Sequence, residues 1–240
     1  MNVDGDVQVH DPVAKVNRCE HARLVDRPLR LVVDDDPVDY DAAMARMQEM
    51  YEERRESQRP DTLWLLSHPS IFTVGARTKP EHLPLDVGIP VKETRRGGQL
   101  TYHGPGQIVG YLVVELRAGE GVVDYVREVE HRLVDALDAL GVPAERRDTP
   151  RGADLLTGVW TKKTGRKIVS IGMRSGRGIT THGFALNVEG DMQPWHQAVA
   201  CGLPDVEMTN VETELAAIGL VSPGLEKARA ALATAFQATS

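Results

Sequence analysis

The 240-residue sequence predicts a mixed α/β domain in which one sheet of short strands is covered by helices. Two segments have the periodicity of amphipathic helices, groups of short apolar runs lie beside them, and the tail is helical in pattern. The strand groups follow one another without a helix between each pair, unlike the regular alternation of a parallel sheet. With 41% hydrophobic and 26% charged residues, the composition disfavours disordered, fibrous and membrane proteins.

The first predicted element is a helix at 39–58. Its apolar residues recur at steps of four, three and four, which places them on one face: Tyr40, Met44, Met47 and Tyr51. Pro60 ends this helix, and two short strands at 62–66 and 71–74 follow, separated by a turn.

A second helix is predicted at 123–140, where Gly141 and Pro143 supply the stop. Its core face consists of Val126, Val129, Leu133, Leu137 and Leu140. Further strands are predicted at 107–116, 167–173 and 181–188, and 158–171 has the pattern of a hairpin that turns at Thr164 and Gly165. The tail from Val211 is predicted to be helical. Residues 1–25 lack periodicity and are interpreted as a flexible leader, which leaves 26–240 as a single domain.

Several functional classes are disfavoured by composition and motifs. No apolar run approaches the length of a membrane span and the first residues lack the apolar region of a secretory signal, so we expect a cytoplasmic protein that does not insert into a membrane. The two cysteines, Cys19 and Cys201, are expected to be reduced thiols. A net charge of −7 argues against nucleic acid as the main partner. No metal-ligand spacing, phosphate loop or serine-hydrolase elbow occurs, so neither a metal nor another cofactor is expected.

The charge is unevenly distributed along the chain. The segment 145–178 carries nine Lys or Arg residues against three acids, so it is +6 while the remainder is −13. Such a run is usually a solvated face, but it also fits a surface that steers an acidic partner protein.

The most unusual stretch is 96–107, Arg-Gly-Gly-Gln-Leu-Thr-Tyr-His-Gly-Pro-Gly-Gln. Glycine lets the backbone approach a ligand closely, so a stretch of this kind often forms the wall of a site. Two ordinary turns around a short strand explain the pattern equally well.

Cys201 and Lys167 are the candidate reactive residues. A lone cysteine is more often an inert buried residue, and an exposed lysine needs no explanation. However, Gly202 leaves the Cys201 thiol approachable, and neighbouring amides are able to stabilise an oxyanion. In a shared, partly buried site, a thiol and an amine share one proton as a thiolate–ammonium pair.

Taken together, four motifs closely resemble those of the lipoyl(octanoyl) transferase family. They are the stretch 96–107, Lys167-Ile-Val-Ser-Ile-Gly172, His182-Gly-Phe-Ala-Leu-Asn187 and Cys201-Gly202, and they occur in the family's order. Two positions depart from the family pattern: Ala200, where proline often precedes the cysteine, and Asn210, where serine is common.

The resemblance implies the α/β fold of biotin and lipoate protein ligase catalytic domains, and the first step of endogenous lipoate biosynthesis. The donor would be octanoyl-acyl-carrier protein. The acceptors would be the lipoyl domains of 2-oxoacid dehydrogenase E2 subunits and the H protein of glycine cleavage. Cys201 would hold the acyl thioester and Lys167 would lower the thiol pKa and act as acid and base. The acyl pocket would be lined by Arg96, Gly97, Gly98, Gln99, Leu100, Thr101, Tyr102, His103, Ser170, Ile171, Gly172, Gly183, Phe184 and Ala185.

Two alternatives remain open on sequence. An ATP-dependent lipoate or biotin ligase on the same fold would need no cysteine. A non-catalytic lipoyl-domain binder would have no reason to retain both Cys201 and Lys167.

Overall fold

The computed structural model describes residues 28–75, 77–84, 88–150, 156–197 and 206–240. Its strands are β1 (Leu29–Val33), β2 (Thr62–Leu66), β3 (Ile71–Val74), β4 (Val91–Glu93), β5 (Thr101–His103), β6 (Gln107–Val113), β7 (Ala144–Arg146), β8 (Val159–Thr161), β9 (Lys167–Gly176), β10 (Ile179–Asn187) and β11 (Ala238–Thr239). Its helices are α1 (Tyr40–Arg55), α2 (Val122–Ala139), α3 (Val211–Ala216) and α4 (Gly224–Ala235), with short 3₁₀ helices at Pro80–His82 and Gln193–Gln197.

The strands form one large mixed sheet and one small sheet. The large sheet has eight strands in the order β11-β1-β2-β6-β10-β9-β8-β7, and the small one has the order β4-β3-β5. β1 runs parallel to both β2 and β11. The other neighbouring pairs of the large sheet, in the order β2-β6-β10-β9-β8-β7, are antiparallel. The long pair β9 and β10 therefore lies inside the sheet, where its backbone hydrogen bonds are satisfied on both sides.

Helices cover the large sheet on both faces. α1 packs its buried Met47 and Met50 against Trp64 and Tyr111 on one face. α2 and α4 cover the other face, where Leu133 and Leu232 belong to the larger core cluster. α2 ends at Ala139, and Gly141, two residues further on, has a φ of +82°, in the left-handed region typical of the residue that follows a helix.

The predicted fold class is confirmed, and the strong periodic segments were placed within a few residues of their observed bounds. β2 and β3 have the predicted limits, and the hairpin joins β8 to β9 through a turn that contains Gly165. β5 is the short strand that one of the two interpretations of 96–107 contained. β1, β4, β7 and β11 were not predicted, because these strands are short and exist by pairing with neighbours that are distant in sequence.

Two kinds of feature are absent from the described ranges. None of their helices has the length and apolar character that crossing a membrane requires. Nor do these ranges bring together three or more His, Cys, Asp or Glu side chains that are placed to hold a metal ion.

The centre of the sheet depends on a glycine opposite an aromatic ring. Gly110 on β6 pairs with Phe184 on β10, and a Cβ at Gly110 would lie 2.2 Å from the Phe184 ring. That ring is stacked on Phe236, with centroids 5.5 Å apart, so it is held from the other side as well. The ring therefore occupies the space that a side chain at position 110 would need.

We expect Gly110→Ala to destabilise the protein by about 1–3 kcal/mol, the usual cost of overpacking a core. Urea denaturation measures this loss. The double variant Gly110→Ala/Phe184→Leu should recover part of it, because the smaller side chain gives way. A single variant as stable as wild type would show that the ring does not constrain position 110.

Candidate active site

A cavity of about 530 Å³ opens at the junction of the glycine-rich stretch, β9, β10 and the start of α2. All the pocket residues implied by the resemblance line this cavity, with the exception of Tyr102, and so does Lys167. Residues far apart in sequence are thus brought to one space. Its apolar walls include Leu100, Val109, Ile171 and Phe184.

Tyr102 lies outside the cavity lining. It is on β5 between Thr101 and His103, and successive strand residues point to opposite sides. Its ring packs against Phe72 and Trp195, and its hydroxyl is 2.9 Å from the Ser70 hydroxyl. Tyr102 therefore belongs to the small core beneath the glycine-rich stretch.

The glycines allow this stretch to lie directly on β9. A Cβ at Gly97 would lie 2.5 Å from the Met173 carbonyl oxygen, and one at Gly172 would lie 2.8 Å from the Gly97 carbonyl oxygen. Gly98 has a φ of +86°. Any side chain at Gly97 or Gly172 would push the two backbones apart and open the cavity wall.

Arg96 anchors the same stretch to the small sheet. Its guanidinium donates to the Thr73 carbonyl oxygen at 2.7 Å and to the Thr73 hydroxyl at 2.9 Å, and it also donates to the Gly97 carbonyl oxygen. The side chain is buried, so these bonds satisfy a charged group that is removed from water. Arg96 thus shapes the wall as well as contributing charge.

A buried chain of hydrogen bonds connects the glycine-rich stretch to Lys167. His103 Nδ1 is 2.7 Å from the Gln107 side-chain oxygen, and the Gln107 amide donates to the Asn187 side-chain oxygen at 2.9 Å. The Asn187 amide donates to the Thr209 carbonyl oxygen, while the Thr209 N–H donates to the Lys167 carbonyl oxygen. Three of the recognised motifs are therefore joined behind the cavity.

The Lys167 side chain is almost fully buried, with 1% of its surface exposed. Its Nζ lies 5.5 Å from the centroid of the Trp160 ring, within the range of a cation–π contact. Gly158, the residue before β8, lies against it: a Cβ there would lie 2.4 Å from the Val169 carbonyl oxygen, 2.6 Å from Lys167 Cε and 3.2 Å from Nζ. The Lys167 side chain therefore lies in a narrow slot between the Trp160 ring and Gly158.

Gly158 is itself held by a buried carboxylate. Glu130 on α2 is fully buried, and it accepts the Gly158 N–H at 2.9 Å. Its other oxygen pairs with Arg127 at 2.7 Å. Because Arg127 lines the cavity, Glu130 fixes both the cover of Lys167 and one charged side chain of the wall.

A group of rings forms the opposite part of the site. His68 Nδ1 lies 2.7 Å from the Val38 carbonyl oxygen, and because that oxygen can only accept, Nδ1 carries the ring proton and donates it. His68 Nε2 therefore accepts from the Tyr111 hydroxyl at 2.8 Å. Burial lowers the pKa of His103 to about 3, with smaller effects from His68, Arg96 and His182. Burial, Arg96 and Arg174 lower the pKa of His182 to about 4. These imidazoles are neutral at physiological pH.

Cys201 and Ala200 lie outside the described residues, as do Cys19 and the predicted leader. The chain that leads away from Cys201 is described from Val206, and Lys167 pairs with it: the Lys167 N–H donates to the Glu207 carbonyl oxygen at 2.9 Å. Asn210 caps α3 by accepting the Thr213 N–H at 2.7 Å. Serine is an equally good cap, which explains why either residue suits this position.

Several lining residues were not found from sequence. They include Tyr40, Arg77, Lys79, Val109, Tyr111, Val122, Val123, Val126, Arg127, Thr157, Met173 and His182. The helical residues among them looked like ordinary surface or core positions. His182 begins one of the recognised motifs but was not among the predicted pocket residues, and its φ of +61° is unusual for a residue other than glycine.

Comparison with known proteins agrees with this architecture. Residues 39–237 match the lipoyl protein ligase A/B catalytic domain family, and the chain belongs to that family. Two solved structures share the fold: lipoate-protein ligase A bound with ATP (TM-score 0.63, 17% identity, 87% of this chain and 84% of that chain) and a bipartite lipoate protein ligase from Thermoplasma acidophilum (TM-score 0.61, 17% identity, 88% and 82%).

More similar relatives are named octanoyltransferases. An octanoyltransferase of Frankia casuarinae is 58% identical over 187 residues, which cover 78% of this chain and 85% of the relative. An octanoyltransferase of Mycobacterium avium is 42% identical over 182 residues, which cover 74% of this chain and 75% of the relative. The chain is accordingly a transferase enzyme, and its relatives support acyl transfer in lipoate biosynthesis.

The first prediction from this geometry concerns the cover of Lys167. We expect Gly158→Ala to lower kcat for acyl transfer by about 100-fold, because a Cβ there would displace the Val169 backbone and the Lys167 side chain that lines the cavity, and a displacement of about 1 Å in a site has an effect of that size. Gly165→Ala is a matched control, since Gly165 also has a positive φ but a Cβ there would have only the Arg147 guanidinium nearby, at 3.5 Å. Equal losses of activity in the two variants would mean that backbone strain, and not Lys167 displacement, is responsible.

The second prediction concerns pH. The unfolded chain binds a proton at His103 near pH 6.5, whereas the folded chain does so only near its pKa of about 3, so stability falls as the pH falls between these values. His103 alone should remove about 2 kcal/mol between pH 6.5 and pH 4.5. Urea denaturation of wild type and His103→Gln at both pH values measures how much of the change in the free energy of unfolding comes from His103. The same pH dependence in both proteins would contradict it.

Proposed function

We propose that this enzyme transfers an octanoyl or lipoyl group from acyl-carrier protein to a lysine of a lipoyl domain, through a thioester on Cys201. The observation that carries the proposal is a buried lysine held at an apolar cavity, beside the chain that leads from Cys201. The apolar walls suit an uncharged alkyl chain, whose burial is favourable by about 0.8 kcal/mol per methylene.

The reaction divides into two steps. The Cys201 thiol gives its proton to the Lys167 amine, and the thiolate attacks the octanoyl carbonyl carbon. A new carbon–sulfur bond forms, the bond to the carrier sulfur breaks, and the carrier thiolate takes the proton from Lys167. The acceptor amine then attacks the Cys201 thioester, the carbon–nitrogen bond forms, and Lys167 passes the amine proton to the departing Cys201 sulfur.

This route needs no nucleotide. The first step exchanges one thioester for another, and the second converts a thioester into an amide, which is downhill. Lys167 is suited to the proton transfers because its slot between Trp160 and Gly158 limits the positions of its amine. Residues 96–98 and 170–172, whose backbones lie against each other, line the space next to it.

The acceptors proposed are the lipoyl domains of 2-oxoacid dehydrogenase E2 subunits and the H protein of glycine cleavage. Support comes from a relative in fold: the bipartite ligase of Thermoplasma acidophilum is described together with its E2 lipoyl domain. The competing function is an ATP-dependent ligase, since lipoate-protein ligase A has the same fold and binds ATP. Such a ligase would activate a free acid and would have no use for Cys201.

The decisive experiment is to incubate the purified protein with octanoyl-acyl-carrier protein in the absence of ATP and to measure its intact mass. We expect an octanoyl adduct that neutral hydroxylamine removes. Cys201→Ser should abolish this adduct, and Cys19→Ser, which removes the other thiol, should leave it unchanged.

An adduct that survives Cys201→Ser would contradict the thioester. A wild-type protein that forms no adduct, but acylates a lipoyl domain with octanoate and ATP, would establish the ligase activity in its place.

A further inference from the structure

The basic segment identified in the sequence does not form one surface. Arg146, Arg147 and Arg166 are paired with Asp148, Glu145 and Glu207. Lys162 and Lys163 precede the first residue of β9 whereas Arg174 lies near its last, and a ten-residue strand separates its ends by about 30 Å. Arg151 lies outside the described residues. Positive charge is concentrated elsewhere.

That concentration is in the cavity. Five cationic side chains line it: Arg77, Lys79, Arg96, Arg127 and Lys167. Among the lining residues that the structure describes there is no aspartate or glutamate, although the whole chain has a net charge of −7. The charged residues that line the cavity are thus all positive, whereas the protein as a whole is negative.

The five cations differ in what they are free to bind. Lys167 and Arg96 are buried, and Arg96 is bonded to Thr73. Arg127 is paired with the buried Glu130. Arg77 and Lys79 are exposed, and no carboxylate in the described ranges forms an ion pair with either of them. These two side chains are therefore at the opening of the cavity and available to a ligand.

The reacting groups do not account for these two cations. An octanoyl thioester is uncharged, and the acceptor lysine is itself a cation that would be repelled. The oxyanion of the transition state forms on the carbonyl oxygen, beside the nucleophile and Lys167. An anion at the opening must belong to another part of a substrate. A carrier protein presents its acyl group on a phosphopantetheine arm, whose phosphate lies at the opposite end from the thioester.

Resting on the proposed function, we propose that Arg77 and Lys79 bind the phosphate ester of the donor's phosphopantetheine arm. With the acyl chain inside the cavity and the thioester near Lys167, the arm leaves through the opening and its phosphate meets exposed cations. The loop that carries them is fixed at one end, because Gly75 abuts Gly98: a Cβ at Gly75 would lie 2.4 Å from the Gly98 carbonyl oxygen. Phosphate binding is thereby coupled to the position of the cavity wall.

Two small donors test the proposal, octanoyl-pantetheine and octanoyl-4′-phosphopantetheine, which share the reacting bond and differ in the phosphate. Acylation of the full-length protein is followed over time by its intact mass, which gives kcat/KM for each donor. Wild type should prefer the phosphorylated donor by about tenfold, the usual size of a charge-assisted contact. In Arg77→Ser/Lys79→Ser this preference should fall close to one.

Arg30→Ser/Lys227→Ser is the matched control, because it removes the same charges from exposed positions outside the cavity lining and should keep the wild-type preference. Raising the salt concentration should weaken the preference of wild type.

A wild-type preference near one, or a preference that survives Arg77→Ser/Lys79→Ser, would overturn the inference while the proposed function stands. AMP that inhibits wild type but not this variant would assign the cations to a nucleotide and would also overturn it. If neither donor acylates the protein, the proposed function fails and this inference fails with it.

Discussion

The buried hydrogen-bond chain from His103 through Gln107, Asn187 and Thr209 to the backbone of Lys167 is the constraint on which the site depends. Each member is a polar group removed from water, and each needs the next to be satisfied. The chain fixes the glycine-rich stretch, β10 and the segment after Cys201 relative to one another. Because a half-satisfied network is costly, the parts of the site that come from distant sequence positions are held in one arrangement.

Around this chain, close backbone contact replaces side-chain packing. Gly97 and Gly172 let two segments touch without an intervening side chain, and Gly158 does the same above Lys167. Side chains at Gly97 and Gly172 would collide with backbone, and one at Gly158 would collide with backbone and with Lys167, so these glycines keep the cavity wall and the lysine in their positions. Their role is therefore steric, and it differs from the turn-forming role of Gly165 in the hairpin.

The histidines of the site are neutral, its carboxylate lies behind the cavity wall, and its cations line the cavity. Burial keeps His103 and His182 neutral by lowering the pKa of each, so the ring cluster adds no charge next to Arg96. Glu130 is withdrawn behind the wall, where it positions Gly158 and Arg127. The cavity consequently combines an apolar interior with a cationic lining, a combination suited to a substrate that is apolar at one end and anionic at the other.

The sequence by itself determined the mixed α/β class, both long helices and the hairpin before β9, because periodicity and turn chemistry are local properties. The residues around the cavity were predicted from the resemblance of four motifs to a known family, and all but Tyr102 line it. Only the tertiary structure decided that Tyr102 lies outside the cavity lining and that Glu130 is buried beside Gly158. It also decided that Arg77, Lys79 and Arg127 line the same cavity. The short edge strands β7 and β11 belong to the same group. These features arise from contacts between residues far apart in the chain, which no local pattern encodes.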